Sequence, residues 1–125
     1  MPSNYGEGKE PLPAIDEPTV IFIINNTWKS SDTEEAIYNA TRSAWKISEP
    51  ARERAVYALG VARGVVRGAY RIDDWYEDAN QTGRWIFRGV PALELNAIDK
   101  SVARLKPPQG QQTAVRPYLD GIPAE

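Results

Sequence analysis

The clearest apolar stretch in the chain is "TVIFII", residues 19 to 24, bounded by Pro18 and by Asn25-Asn26. It is β-branched and aromatic, and its length suits a buried strand. The next stretch is polar. "SSDTEE" places Ser31 three residues before Glu34 and Asp32 three before Glu35, and either pair makes a capping box. Ile37, Ala40, Ala44 and Trp45 then recur at helical spacing, which predicts a helix from about Thr33 to Lys46. Pro50 disfavours helix at the residue before it, so "ISEP" is expected to end the element.

The period changes in "RERAVYALGVARGVVRGAYRIDDWY". Gly60, Gly64 and Gly68 fall on every fourth residue and would weaken a helix by roughly 1 kcal/mol each relative to alanine. The segment reads better as a hairpin: Val56 to Ala62, a turn at Arg63-Gly64, and a return from Val65 to Ile72. Simple alternation puts Arg67, Ala69 and Arg71 on one face and Val66, Gly68, Tyr70 and Ile72 on the other. "EDANQTGR", 77 to 84, is a polar loop. "RWIFRGV" alternates again, Trp85 and Phe87 against Arg84, Ile86 and Arg88, as a half-buried strand does. Residues 92 to 105 are read as a short helix with a turn near Asp99-Lys100, and "VRPYL" as a last edge strand.

Strand, helix, β-meander and irregular end predict an α+β fold: a small β-barrel or half-barrel with one main N-terminal helix. The domain is expected over residues 19 to 105. Residues 1 to 18, with Pro2, Pro11, Pro13 and Pro18, are read as an extended or flexible arm, and residues 106 to 125 as a loosely held tail.

Composition narrows the chemistry. A chain of 125 residues suits one domain with a single core. It has no cysteine and no histidine. That removes disulfides, thiolate metal sites, the usual general base near neutral pH and the commonest metal ligand. Zinc chemistry and a serine–histidine triad are not expected, and no cofactor is. The longest apolar run, Val20 to Ile24, is far too short to span a bilayer, and no signal pattern opens the sequence. These features predict a cytoplasmic protein with no membrane partner.

The net charge of -2 hides an asymmetry. Residues 1 to 40 hold two lysines against seven acidic residues, whereas residues 41 to 116 hold thirteen basic residues against eight acids. All ten arginines lie between Arg42 and Arg116. Arginine suits planar and phosphate partners. The segment forms either a local surface for an anionic ligand or an ordinary solvated face of mixed charge.

The stretches "IINNTW", "EAIYNATRSAWKIS", "RAVYALGVARGVVRGAYRIDDWY" and "GRWIFRGVPA" resemble, in element order and aromatic positions over about residues 19 to 105, a small bacterial and phage domain similar to the PUA-like superfamily, which includes EVE, YTH and ASCH domains. The resemblance implies a cleft beside a barrel that binds RNA, a modified base or a nucleotide, with tryptophan stacking the base. It places Trp45 where the superfamily's helix carries an aromatic, and Asn25, Asn26 and Thr27 at the end of the first strand. Some ASCH members hydrolyse modified cytidines with Lys, Thr and Glu. Thr27, Lys29 and Glu34 are present here at an unspecific spacing.

Each candidate has a plain structural role beside its functional one. Trp28, at a strand exit, either stacks a base or packs locally. Trp45 lies on the apolar helix face and is either core or ligand. Asn25 and Asn26 carry the donor and acceptor that reading a base edge needs, and equally suit a turn. Arg42 either clamps a phosphate or pairs with Glu35 or Glu49. Arg63, Arg67 and Arg71, four apart, form either a phosphate-contacting stripe or a solvated face paired to Asp73, Asp74 and Glu77. Lys100 is a further phosphate candidate. The expected function is a non-catalytic binding module for nucleic acid or a nucleotide, modified or not. The alternatives are a protein-interaction or regulatory domain, acting on a protein partner or as a homodimer, and a small amidohydrolase acting on a modified nucleoside.

Overall fold

The apolar run Thr19–Ile23 forms β1, one strand in from the edge of a five-stranded mixed sheet. The computed structural model describes residues 9–106 and 113–124. After β1 come α1 (Glu34–Arg42), α2 (Glu49–Arg54), β2 (Tyr57–Ala62), β3 (Val65–Glu77), β4 (Trp85–Pro91), a single 3₁₀ turn (Leu93–Leu95) and β5 (Val115–Tyr118). The strand order is β4-β3-β2-β1-β5. β1 runs parallel to β2, and the other pairs are antiparallel.

The hairpin forms where the glycine argument put it. Arg63 and Gly64 both take positive φ, 53° and 75°, as a two-residue loop matched to strand twist requires. The Asn25 side-chain oxygen accepts the Arg63 N–H at 2.7 Å and fixes the turn to the exit of β1. The face assignment on β3 differs from simple alternation. Gly60 pairs with Gly68 but Val61 pairs with Val66, so Arg67 is the extra residue of a β-bulge. Val66 therefore shares a face with Ala69, and Arg67 is turned out of the ladder.

The helices also differ from the reading. Thr33, not Ser31 or Asp32, caps α1, its hydroxyl accepting the Ala36 N–H at 3.1 Å. Asp32 instead accepts the Lys29 N–H. The helix ends at Arg42 rather than Lys46, because Trp45 is drawn into two backbone hydrogen bonds with Trp85 and stacks on Phe22. Pro50 starts a second helix instead of only ending the first. It lies in the first turn of α2, where its missing N–H costs nothing, behind a Ser48 cap.

The two helices cover one face of the sheet, over Val20, Phe22, Ala58, Tyr70 and Phe87. Irregular chain covers the other, over Ile21, Leu59, Val61 and Val66. Leu12 and Ile15, 1% and 3% exposed, belong to this second core, as does Ile122. Packing thus extends upstream of residue 19 and downstream of residue 105. Residues 1–8, 107–112 and 125, the rest of the expected arm and tail, lie outside the described residues.

The fold is α+β, but the sheet is open rather than closed into a barrel. The cause is visible at β4. Its outer edge is already occupied: Arg42 Nε donates to the Phe87 carbonyl at 3.0 Å, the Tyr38 hydroxyl accepts the Gly89 N–H at 3.0 Å, and Trp45 exchanges both bonds with Trp85. No ladder is left there for β5, which pairs with β1 instead.

Candidate functional site

A groove of about 370 Å³ lies between α1 and the bulged start of β3. One wall is Glu34, Glu35, Ile37 and Tyr38 of α1; the other is Arg67 to Tyr70, with Gly89 and Pro91 of β4. Leu93 and Ile98, 78% and 45% exposed, rim it with apolar surface. The groove depends on Gly68. A Cβ there would come within 2.5 Å of the Tyr70 hydroxyl and 2.9 Å of an Ile37 methyl. Its size is within the range of small-ligand sites, and its lining is mostly apolar with a few polar groups.

Arg67 stands on the rim. The bulge aims its side chain toward the exit of β1, where its guanidinium lies 4.1 Å from the centre of the Trp28 ring, with Arg63 at 5.9 Å. Its Nε donates to the Ala62 carbonyl at 3.2 Å, and neither Nη has a hydrogen bond among the described residues. Burial pulls its pKa below the ordinary value; nearby Asp99 opposes that shift and Arg63 adds to it. The group stays charged and is short of hydration, which favours an anionic partner.

Tyr70 is 6% exposed. Burial, then the neighbouring Tyr38 and Glu34, pushes its hydroxyl up to about 12. It is therefore protonated at neutral pH.

No family model, curated protein or solved structure matches the chain. The site is thus judged on its own geometry.

The sequence candidates separate into two groups. Asn25, Trp28 and Arg67 come together, and Arg63 joins them. Asn25 is engaged with the hairpin turn, and Asn26 is exposed beside it. The others lie apart. Arg42 binds the Phe87 carbonyl and the Tyr76 hydroxyl and lies over the Tyr38 ring, so its fork is used in the fold. Trp45 stacks on Phe22 at 5.0 Å and donates to the Thr41 carbonyl at the end of α1. Lys100 pairs with Glu10 at 2.8 Å, its side chain 17% exposed. Arg71 lies further along β3, between Tyr57 and Val90, so the three arginines do not form one stripe. The Thr27 hydroxyl is engaged by the Ile24 carbonyl.

Sequence reasoning missed the groove residues Tyr38, Gly68, Tyr70, Leu93 and Ile98 as a group. Gly68, between Arg67 and Ala69 inside an otherwise apolar strand, was the available signal, since glycine inside a strand marks a bulge or a close approach.

A second, shallower depression of about 440 Å³ is lined by Trp45, Lys46, Arg84 and residues of β5. Its Arg84 is engaged by the Ala44 carbonyl, and Arg52 lies 3.7 Å from the Trp85 ring beside it. Among the described residues no group of three acidic, histidine or cysteine side chains could hold a metal ion, and no helix is long and apolar enough to cross a membrane.

Proposed function

We propose that this chain is a non-catalytic binding module for nucleic acid or a nucleotide, the base lying in the groove beside Tyr38 and Tyr70 and the phosphate on Arg67. One observation carries the reading. A partly buried arginine, stacked on Trp28 and with both Nη groups uncommitted, stands on the rim of an apolar groove of ligand size. A flat apolar body with an anionic end suits both halves of that site. Of the candidates read from sequence, Trp28 and Arg67 keep a binding role here. Asn25 positions the turn, and Arg42 and Trp45 hold the fold.

The PUA-like relation belongs to the same proposal. The order strand, helix, hairpin, strand supports it, and the open sheet is a departure from a closed barrel. A cytoplasmic location would accord with this function. A protein-interaction domain is the second reading, favoured by the exposure of Leu93 and Ile98 on the rim.

The test is a titration of the full chain, followed by tryptophan fluorescence, with adenosine monophosphate and short single-stranded RNA and DNA at low and moderate salt. Phosphate contacts make affinity fall with salt, whereas an apolar protein interface is far less sensitive. Losing a charge-assisted bond of about 1.5–3 kcal/mol, Arg67→Ala should weaken binding by roughly ten-fold or more and flatten the salt dependence. Absence of binding to any of these probes at millimolar concentration would reject the reading.

A further inference from the structure

The Tyr70 hydroxyl has no hydrogen-bond partner among the described residues, although the residue is only 6% exposed. The oxygen is not sealed in the core, since it is not among the buried unpartnered side-chain atoms, Trp75 Nε1 and Arg104 Nε. It reaches toward Gly68 on the groove wall. On the opposite wall the first turn of α1 brings Glu34 to the same groove. A donor and an acceptor therefore face one cavity from two elements.

Resting on the nucleotide reading above, we propose that the groove selects a heterocycle with an exocyclic amino group beside a ring-nitrogen acceptor. Adenine and cytosine present that edge; hypoxanthine and uracil present a carbonyl in place of the amino group. The two protein groups act differently. A carboxylate only accepts hydrogen bonds, so Glu34 gains a bond from an amino group and opposes a carbonyl with like charge. A hydroxyl both donates and accepts, and it rotates to suit a ring nitrogen with or without a hydrogen. Glu34 thus sets the choice of base, and Tyr70 adds affinity to either kind. Burial and the nearby Glu34 charge keep the hydroxyl protonated, which leaves it a donor at neutral pH. Arg67 takes the phosphate, which all ligands of the test share.

The experiment compares adenosine with inosine monophosphate, and cytidine with uridine monophosphate, by calorimetric titration of the full chain. Each pair differs in the amino-or-carbonyl edge and has the same phosphate. A well-placed edge contact of about 1–3 kcal/mol predicts that the amino member of each pair binds roughly ten-fold tighter. Glu34→Gln, whose amide offers both a donor and an acceptor, should bring each ratio close to one. Glu53→Gln, on α2 and outside the groove lining, is the control for charge alone and should leave it in place. Tyr70→Phe should weaken all of the monophosphates alike without changing either ratio. Equal binding within each pair by the wild-type chain, or a preference that survives Glu34→Gln, overturns this assignment and leaves the nucleotide reading standing. Failure of every monophosphate to bind the wild-type chain overturns this assignment, and failure of the RNA and DNA oligonucleotides as well overturns both.

Discussion

Tyr70 shows how one residue's surroundings set its chemistry. Its hydroxyl pKa in the fold, about 12, lies above the ordinary 10.0. The unfolded chain therefore releases this proton first as pH rises. The stability linked to Tyr70 is whole below the unfolded pKa and is lost as pH climbs through the folded one. Chemical denaturation at a series of pH values between 10 and 12 should show the wild-type midpoint falling more steeply than that of Tyr70→Phe, and parallel slopes would refute the linkage. Gly68 sets a steric condition at the same place. Gly68→Ala drives a methyl group against the Tyr70 hydroxyl and Ile37, so it should narrow the groove and cost about 1–3 kcal/mol in a denaturant melt. At this scale the sequence was only partly legible. Trp28 and Arg67 could be picked out by type. Their meeting depends on the extra residue in the Gly60–Gly68 register, and alternation along β3 contains no trace of it.

The element that does most to shape the site is α1. It forms one wall of the groove, and its last turn closes the outer edge of β4. Thr33→Ala removes the hydroxyl that caps the helix and should lower stability by about 1 kcal/mol. Arg42→Ala leaves the Phe87 carbonyl and the Tyr76 hydroxyl without their donor, a loss of about 1–3 kcal/mol, and Arg42→Lys should recover only part of it because a lysine lacks the planar fork. Urea midpoints of the two variants check this, and full recovery in the lysine variant would show that charge alone matters. The strands were legible in kind and order, since β-branched runs, glycine spacing and the Trp85–Phe87 alternation all act locally, but β3 runs on to Glu77, past the expected end at Ile72. The helix ends were not. Trp45 leaves the helix because Trp85, forty residues away in sequence, offers its backbone.

For the whole molecule, the irregular segments are part of the core. Leu12 and Ile15 sit among prolines, with no period to mark them as buried, and the sequence suggested an arm. In the fold they cover the helix-free face, Leu12 donating to the Ser101 carbonyl and Ile15 exchanging bonds with Ile122. Leu12→Ala should therefore destabilise the chain by about 2–5 kcal/mol, as removal of a core leucine does, whereas an arm residue would cost almost nothing. Thermal melts separate the two outcomes.

The position of β1 has a kinetic consequence. β2, β3 and β4 are joined by short connections and can assemble as a meander from local contacts alone. β1 pairs on one side with β2 across two helices, and on the other with β5, where Thr19 meets Tyr118 near the far end of the chain. Both loop closures must be completed before β1 is held on both sides, and such long-range pairing slows folding relative to local contacts. In stopped-flow refolding, substitutions in the β2–β3 hairpin should therefore alter the folding rate, and substitutions at the β1–β5 seam should act mainly on unfolding.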